Sequence, residues 1–326
     1  MILAGDIGGT KTVLSLLAKD KNGIPISQKE QTFTSLAYPE FADILKEFLP
    51  DDVLITSACF GVAGPVVNQR CQTTNLPWLL DAEVLKKSLG TERVKLLNDL
   101  EAMALGMLYL SETDLLELNP NAQTQVGNIA VIAAGTGLGE AILYWDGNRY
   151  HPMGTEGGHC DFAPQTEQQD SLLSYMRNQF PDHVSCERLI SGIGFSHLYD
   201  FLLEHDFATA CMAVPEVSDH EAGIDRNATI SRLGVSGEDA LCTEAVRLFV
   251  DLYGAEAGNL ALKALAIGGV FIGGGIAPKI LPMMQDGRFM SAFKAKGRFS
   301  GLLDKVSVKL SLNPRTPLIG AINYFA

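Results

Sequence analysis

Apolar residues along this chain fall into short dense runs broken by glycine or by polar turns. The first run, "ILAGDI", meets Gly8-Gly9-Thr10 and resumes as "KTVLSLLAK" before the polar "DKNG". Apolar run, glycine turn, apolar run and polar turn together predict a β-hairpin. The same order returns far downstream, where "NIAVIAA" meets Gly135-Thr136-Gly137, continues through Ala141 to Trp145 and stops at Asp146-Gly147. Two hairpins of one design imply an internal duplication, with each half opening on a turn of phosphate size.

Strand and helix alternate between the hairpins. "VLITSACFGV" reads as a buried strand, Asp81 as the N-cap of a helix "AEVLKKSL" stopped by Gly90, and "RVKLLND" as a short strand leading directly into the helix "LEAMALGMLYL". Downstream, "ALCTEAVRLFVDLYGAEAGNLALKAL" has helical periodicity, and "GGVFIGGGIAPKIL" reads as strand, triple glycine and helix, with Pro278 in the first helical turn. A strand and a short helix finish the chain. Ser111 to Asn128 is polar and aperiodic, and residues 205–237 read as an irregular surface connection. The pattern is α/β, with a domain boundary expected just before Ser111.

Composition narrows the function. The chain has 326 residues and a formal charge of −13, which argues against a nucleic-acid binder because backbone affinity comes mainly from Lys and Arg on phosphates. A small anionic ligand remains compatible, held by backbone N–H groups and a cation. No uncharged apolar run is long enough for a membrane span. No basic-then-apolar leader stands before the first strand, so the expected location is a reducing cytoplasm. Six cysteines form no CxxC pair, which argues for inert thiols over a zinc cluster.

The glycine turns carry the first candidate chemistry. GxGxG at Gly135, Gly137 and Gly139 leads into a strand, whereas a dinucleotide fingerprint is GxGxxG leading into a helix; the P-loop pattern is absent as well. Asp6 stands at a strand end, placed to order Mg2+ through water, while Gly8 and Gly9 leave backbone N–H groups open to phosphate oxygens and Thr10 adds a hydroxyl. The competing reading is a tight hairpin needing glycine for positive φ and nothing more.

Asn98-Asp99 lies where a strand ends and a helix begins, the edge at which open α/β sheets bind ligands. On local grounds Asp99 reads first as an N-cap. Glu156 and His159 flank two glycines, so a rigid loop presenting them to hydroxyl groups fits better than a helical metal pair. Glu187 opens a predicted helix, Asn75 sits in the turn "TTNLPW", and Trp78 reads as packing. Gly273-Gly274-Gly275 lets a ligand such as adenosine lie against backbone. Phosphate turns, a strand-end aspartate and a hydroxyl-binding loop are the parts that phosphoryl transfer to an alcohol requires.

In order along the chain, "GDIGGTKT", "NDLEAMALG", "AAGTGLG", "EGGHCDFAP", "CERLISGIG", "GGVFIGGGIAPKIL" and "KGRF" resemble the bacterial-type glucokinases of the sugar-kinase/actin/heat-shock-chaperone ATPase superfamily. The resemblance implies a two-lobed actin-like ATPase fold, made of duplicated ribonuclease H-like domains with a cleft between them. The C-terminal segment then returns to the first lobe, so the expected domains are 1–109 with 310–326, and 110–309. It implies ATP-dependent phosphorylation of glucose with Mg2+, in a homodimer. By similarity, Asp99 is the general base, and Asn75, Asn98, Asp99, Glu156, His159 and Glu187 hold the sugar. Asp6, Ile7, Gly8, Gly9, Thr10, Lys11, Gly135, Thr136, Gly137 and Gly273 to Gly275 serve nucleotide and metal.

An aspartate with an ordinary pKa near ~3.9 is a poor base at neutral pH, yet it serves if the proton moves late. Lys11 stands where close members carry Asn, and Ile193 where proline is common. The alternatives are a kinase for another hexose or an amino sugar, and a sugar-sensing protein without turnover.

Overall fold

Small and branched apolar side chains make Ile2–Ile7 (β1) a strand buried on both faces, and Lys11–Lys19 (β2) returns antiparallel with Ile7 opposite Thr12. The computed structural model describes residues 1–73, 76–219 and 223–325. Pro25–Thr34 (β3) adds to the open side of β2. Phe41–Phe48 (α1) turns Phe41, Ile44, Leu45 and Phe48 inward. Ser57–Val62 (β4), buried throughout, runs parallel to β1. Arg70–Gln72 (β5) and Leu79–Asp81 (β6) pair as a small ribbon, and Asp81 accepts the Glu83 N–H to start Ala82–Leu89 (α2), which Gly90 ends in the left-handed region. Val94–Asn98 (β7) lies parallel to β4 and feeds Asp99–Met107 (α3).

The resulting order is β3-β2-β1-β4-β7. Ile7 pairs with Val62 and Val62 with Asn98, so the glycine turn and the start of α3 leave the sheet at one level.

The second sheet begins with Leu115–Glu117 (β8) and Ile129–Ala134 (β9), followed by Leu138–Trp145 (β10) and Tyr150–Thr155 (β11). Its order is β11-β10-β9-β12-β13-β8, where β12 is Gly269–Gly273 and β13 is Val308–Ser311. An antiparallel β9–β10 pair stands beside the parallel set β9, β12 and β13, as β1–β2 stands beside β4 and β7. The expected duplication is therefore present in the topology.

Glu167–Gln179 (α4), Gly194–Glu204 (α5), Arg226–Ser236 (α6) and Ala240–Ala264 (α7) pack here, with the shorter Leu281–Met284 (α8), Arg288–Lys294 (α9) and Ser300–Leu303 (α10). Phe195 stacks on Phe249, and Tyr253 meets Phe289 edge-on in this core. The chain groups into two units: Met1–Asp114, His151–Gly154 and Asn313–Ala326, and then Leu115–Tyr150 with Thr155–Leu312.

Thr316–Asn323 (α11) crosses α3 in the first unit at backbone contact. A Cβ on Gly106 would strike the Thr316 carbonyl, and one on Gly320 the Ala102 carbonyl. Gly61 of β4 sits under α3 in the same way, its Cβ position 2.8 Å from the Ala102 Cβ. These approaches hold α3, and with it Asp99, against the sheet.

Four expectations need correction. Residues 205–237 include the helix α6, begun by Asp225 accepting the Asn227 and Ala228 N–H groups; its buried stripe is only Arg226, Ile230, Leu233 and Gly234, too sparse to show as periodicity. Arg226 is buried because it pairs with Asp200 and donates to the Pro215 carbonyl. The aperiodic 111–128 stretch contains β8, which is too short for alternation to show and is held by backbone pairing to β13. The triple glycine leads into a 3-10 turn, Ala277–Ile280, before the single turn of α8. Glu187 opens a 3-10 turn, Cys186–Arg188, and no α-helix. Among the described residues, no helix is long and apolar enough to cross a membrane.

Candidate active site

In the first unit, the turn after β1 closes with the Gly8 N–H donating to the Lys11 carbonyl at 3.0 Å. Gly8, Gly135 and Gly137 all lie outside the left-handed region, which removes positive φ as the reason for glycine at these positions. Ser35 fastens this turn: its hydroxyl donates to the Gly8 carbonyl at 2.8 Å, lies 3.0 Å from the Thr12 hydroxyl, and its N–H donates to the Thr10 carbonyl. Buried hydroxyls of this kind carry no sequence signal, and neither Ser35 nor Thr12 was foreseen. Ile7 is core, whereas Thr10 and Lys11 are exposed.

Asn98, not Asp99, is the N-cap of α3. Its Oδ1 accepts the Leu100 N–H at 2.8 Å, and the Glu101 carboxylate accepts the Asn98 N–H at 2.9 Å, a reciprocal capping box. The Asn98 amide also donates to the Gly64 carbonyl at 3.1 Å. Asp99 is thereby the first helical residue, with Oδ1 2.9 Å from the Leu100 nitrogen. Dipeptide reading cannot separate these two roles, because both residues cap well. Asp6 faces the same edge: burial, and secondarily the negative charge of Asp99, raise its carboxyl to about 6.

The second unit gathers the remaining residues. In its glycine turn the Gly135 N–H donates to the Gly137 carbonyl, and the Gly192 N–H to the Gly135 carbonyl, each at 2.8 Å. A side chain on Gly135 would meet open space. Glu187 reaches into this turn; its Oε2 accepts the Leu138 N–H at 2.9 Å and occupies the place a Gly137 Cβ would take. Its Oε1 lies 3.9 Å from His159 Nε2.

His159 ends a 3-10 turn, Gly157–His159, that Glu156 begins, within the segment read from the sequence as a rigid loop and not as a helix. Glycine is required there because a Cβ on Gly157 would meet the Glu140 carboxyl, and one on Gly158 the Leu138 carbonyl. Gly274 has φ of +82° and packs on the Ala134 carbonyl, so its glycine serves the fold, whereas Gly275 faces open space and Gly273 ends β12. Trp78 is packing, 2% exposed with its ring N–H donating to the Tyr38 carbonyl. Asn75 lies outside the described residues.

A family model described as Glucokinase matches residues 3–326. The chain belongs to the glucokinase family. A glucokinase of Nostoc sp. is 40% identical over 98% of this chain and 97% of that protein. The crystal structure of a glucokinase from an Antarctic psychrotroph superposes with a TM-score of 0.85 at 32% identity, covering 98% of this chain and 97% of that one. A ROK family glucokinase from Streptomyces griseus, solved with glucose and AMPPNP, shares the fold with a TM-score of 0.63 at 18% identity, over 99% of this chain and 98% of that one. The glucokinase fold here is the duplicated actin-like one, and the activity of the family is ATP-dependent phosphorylation of glucose.

The donor set around Asp6 suits a divalent cation. Two carboxylates that raise each other's cost of ionisation are what Mg2+ relieves, and hard oxygen ligands are what it takes. Elsewhere, Cys211, Asp239 and Cys242 bring their ligand atoms within 4.8 Å of one another, a convergence that no CxxC spacing signals. Asp239 there is the N-cap of α7 and accepts the Cys242 N–H at 2.8 Å.

The Asp6 environment gives a pH dependence with a definite sign. Its folded value of about 6 exceeds the ordinary 3.8, so the proton is held by the folded chain and released by the unfolded one in that interval. Stability contributed by that proton is present below 3.8 and lost as pH rises through about 6. Asp6→Asn should therefore flatten the pH profile of urea-unfolding stability across this window by about 3 kcal/mol. Added Mg2+ should stabilise the parent chain above this window and leave the variant unmoved. Parallel profiles for the two proteins would contradict the assignment.

Proposed function

We propose that Asp99 is the general base for transfer of the γ-phosphoryl group of ATP to the primary hydroxyl of glucose. The observation that carries this is the placement of Asp99 at the first position of α3, level with the glycine turn of β1 and electrostatically coupled to Asp6. Its carboxylate accepts the hydroxyl proton as the new oxygen–phosphorus bond forms. The bond from the γ-phosphorus to the bridging oxygen breaks, and ADP leaves with that electron pair. Positioning and charge neutralisation supply most of the rate in such a step.

Glu156, His159 and Glu187 hold the other sugar hydroxyls, with Asn98 and Asn75 from the first unit. Gly8, Gly9, Thr10 and Lys11, after Ile7, and Gly135, Thr136 and Gly137 present backbone and hydroxyl donors to the phosphates. Gly273 to Gly275 receive the nucleoside. Asp6 would hold Mg2+ through water, which supplies neutralising charge at the phosphates when bound. A homodimer, on the family resemblance alone, and a cytoplasmic location, as expected from the sequence, complete the proposal.

The test is a matrix of phosphoryl donors against sugars with the purified chain. The highest kcat/KM is expected for ATP with glucose. A preference for N-acetylmannosamine would overturn the sugar assignment, and a preference for another donor the nucleotide assignment.

A further inference from the structure

Under the Gly157–His159 and Cys186–Arg188 turns of the second unit lies a buried polar cluster that the proposed phosphoryl transfer does not use. Glu140 of β10 is 1% exposed. Its Oε1 has no hydrogen-bond partner, and its Oε2 fills the place where a Gly157 side chain would stand. The Thr155 hydroxyl donates to the Glu140 carbonyl at 3.0 Å, and the Gly157 N–H donates to that same hydroxyl at 3.1 Å. Glu140 thus touches the 155–159 segment through both its backbone and its carboxyl group.

Other charged and titratable groups complete the cluster. Glu256 of α7 is 5% exposed, with Asn259 donating to its carboxylate at 2.8 Å and Lys263 at 3.2 Å. The Cys186 thiol, one residue before Glu187, lies 3.6 Å from Glu256 Oε2. Tyr253 also senses the charge of Glu140, while Lys296 Nζ is buried without a partner and senses Glu256 and Lys263.

We propose that Glu140 is a positioning residue for sugar recognition, its carboxyl group propping Gly157 from below and so setting how Glu156 and His159 meet a hexose. The proposal rests on the reading that those two residues hold glucose. Burial, followed by the charge of Glu256, raises the Glu140 carboxyl to about 7, with Lys263 pulling it the other way. The neutral acid fits a pocket that leaves one oxygen without a donor. Once ionised, it sets a second charge beside Glu256 and an unsatisfied anionic oxygen under the turn, which is costly in a dry interior. Relief requires the turn to lift and admit water, and that displaces Glu156 and His159.

The experiment measures kcat and both KM values between about pH 6 and pH 9 for the parent chain and Glu140→Gln, the isostere of the neutral acid. In the parent chain, KM for glucose is expected to rise about ten-fold as pH passes through the Glu140 value, with kcat and KM for ATP within about two-fold. Glu140→Gln should hold the low KM throughout. His159 is present in both proteins, so their difference isolates Glu140. Should that variant fail to fold, Glu256→Gln is expected to shift the rise to lower pH, because the charge of Glu256 raises the Glu140 value and its removal lets Glu140 ionise more easily; a rise that stays in place or moves upward overturns the proposal. A parent profile without the rise, or a rise that persists in Glu140→Gln, overturns the proposal. Glucose binding by His159→Ala separates the levels: unchanged affinity removes the underlying reading as well, whereas weakened affinity with an unaltered Glu140→Gln profile removes the positioning role alone.

Discussion

Asp99→Asn should lower kcat for glucose-dependent ADP release by about a thousand-fold, the range for loss of a positioned general base, while calorimetry still registers glucose binding. The expectation is sharp because of where the residue lies. Were Asp99 the N-cap of α3, its replacement would fray the helix and confuse a catalytic loss with a structural one. The cap is Asn98, closed reciprocally by Glu101, and Gly106 and Gly320 lock the body of the helix against α11. Asparagine at the first helical position leaves those contacts in place and removes only the ability to take a proton. Turnover within about ten-fold of the parent would rule out Asp99 as the base.

Gly137→Ala is expected to be the next most damaging change, lowering kcat/KM for ATP and for glucose by about ten- to a hundred-fold, equivalent to the usual ~1–3 kcal/mol of overpacking. One methyl group reaches two functions here because Glu187 stands in its way. The added Cβ would displace Oε2, break its bond from the Leu138 N–H, and move Oε1 away from His159. Shortening the acid should make room, so Glu187→Asp in the Gly137→Ala background is expected to recover part of the ATP term, a coupling that a double-mutant cycle measures. Equal, additive losses would mean that the turn and the acid act independently.

Much of this architecture was legible before any coordinates. Each glycine turn lies between two apolar runs, and hairpin formation depends on local pattern and turn chemistry, so β1–β2 and β9–β10 could be read directly. Asp81 and Gly90 delimit α2 for the same local reason. The candidate site was legible as residue types in an order, since "DIGGT", "ND", "GTG" and "EGGH" are compact signals that also carry the family resemblance. Features that depend on partners distant in sequence were not legible. Three residues become β8 only through pairing with β13, and α6 survives its polar composition by burying Arg226 on Asp200.

Local chemistry along the chain was enough for the duplicated hairpins, the phosphate-sized turns and the candidate acids, because turns, caps and alternation involve neighbours within a few residues. Long-range packing alone settled that Asn98 and not Asp99 caps α3, why Gly137 and Gly157 tolerate no side chain, and that the Glu140 carboxyl lies buried beneath the Gly157–His159 turn. Those outcomes depend on desolvation and on atoms brought together from remote segments, and neither quantity exists until the chain has folded.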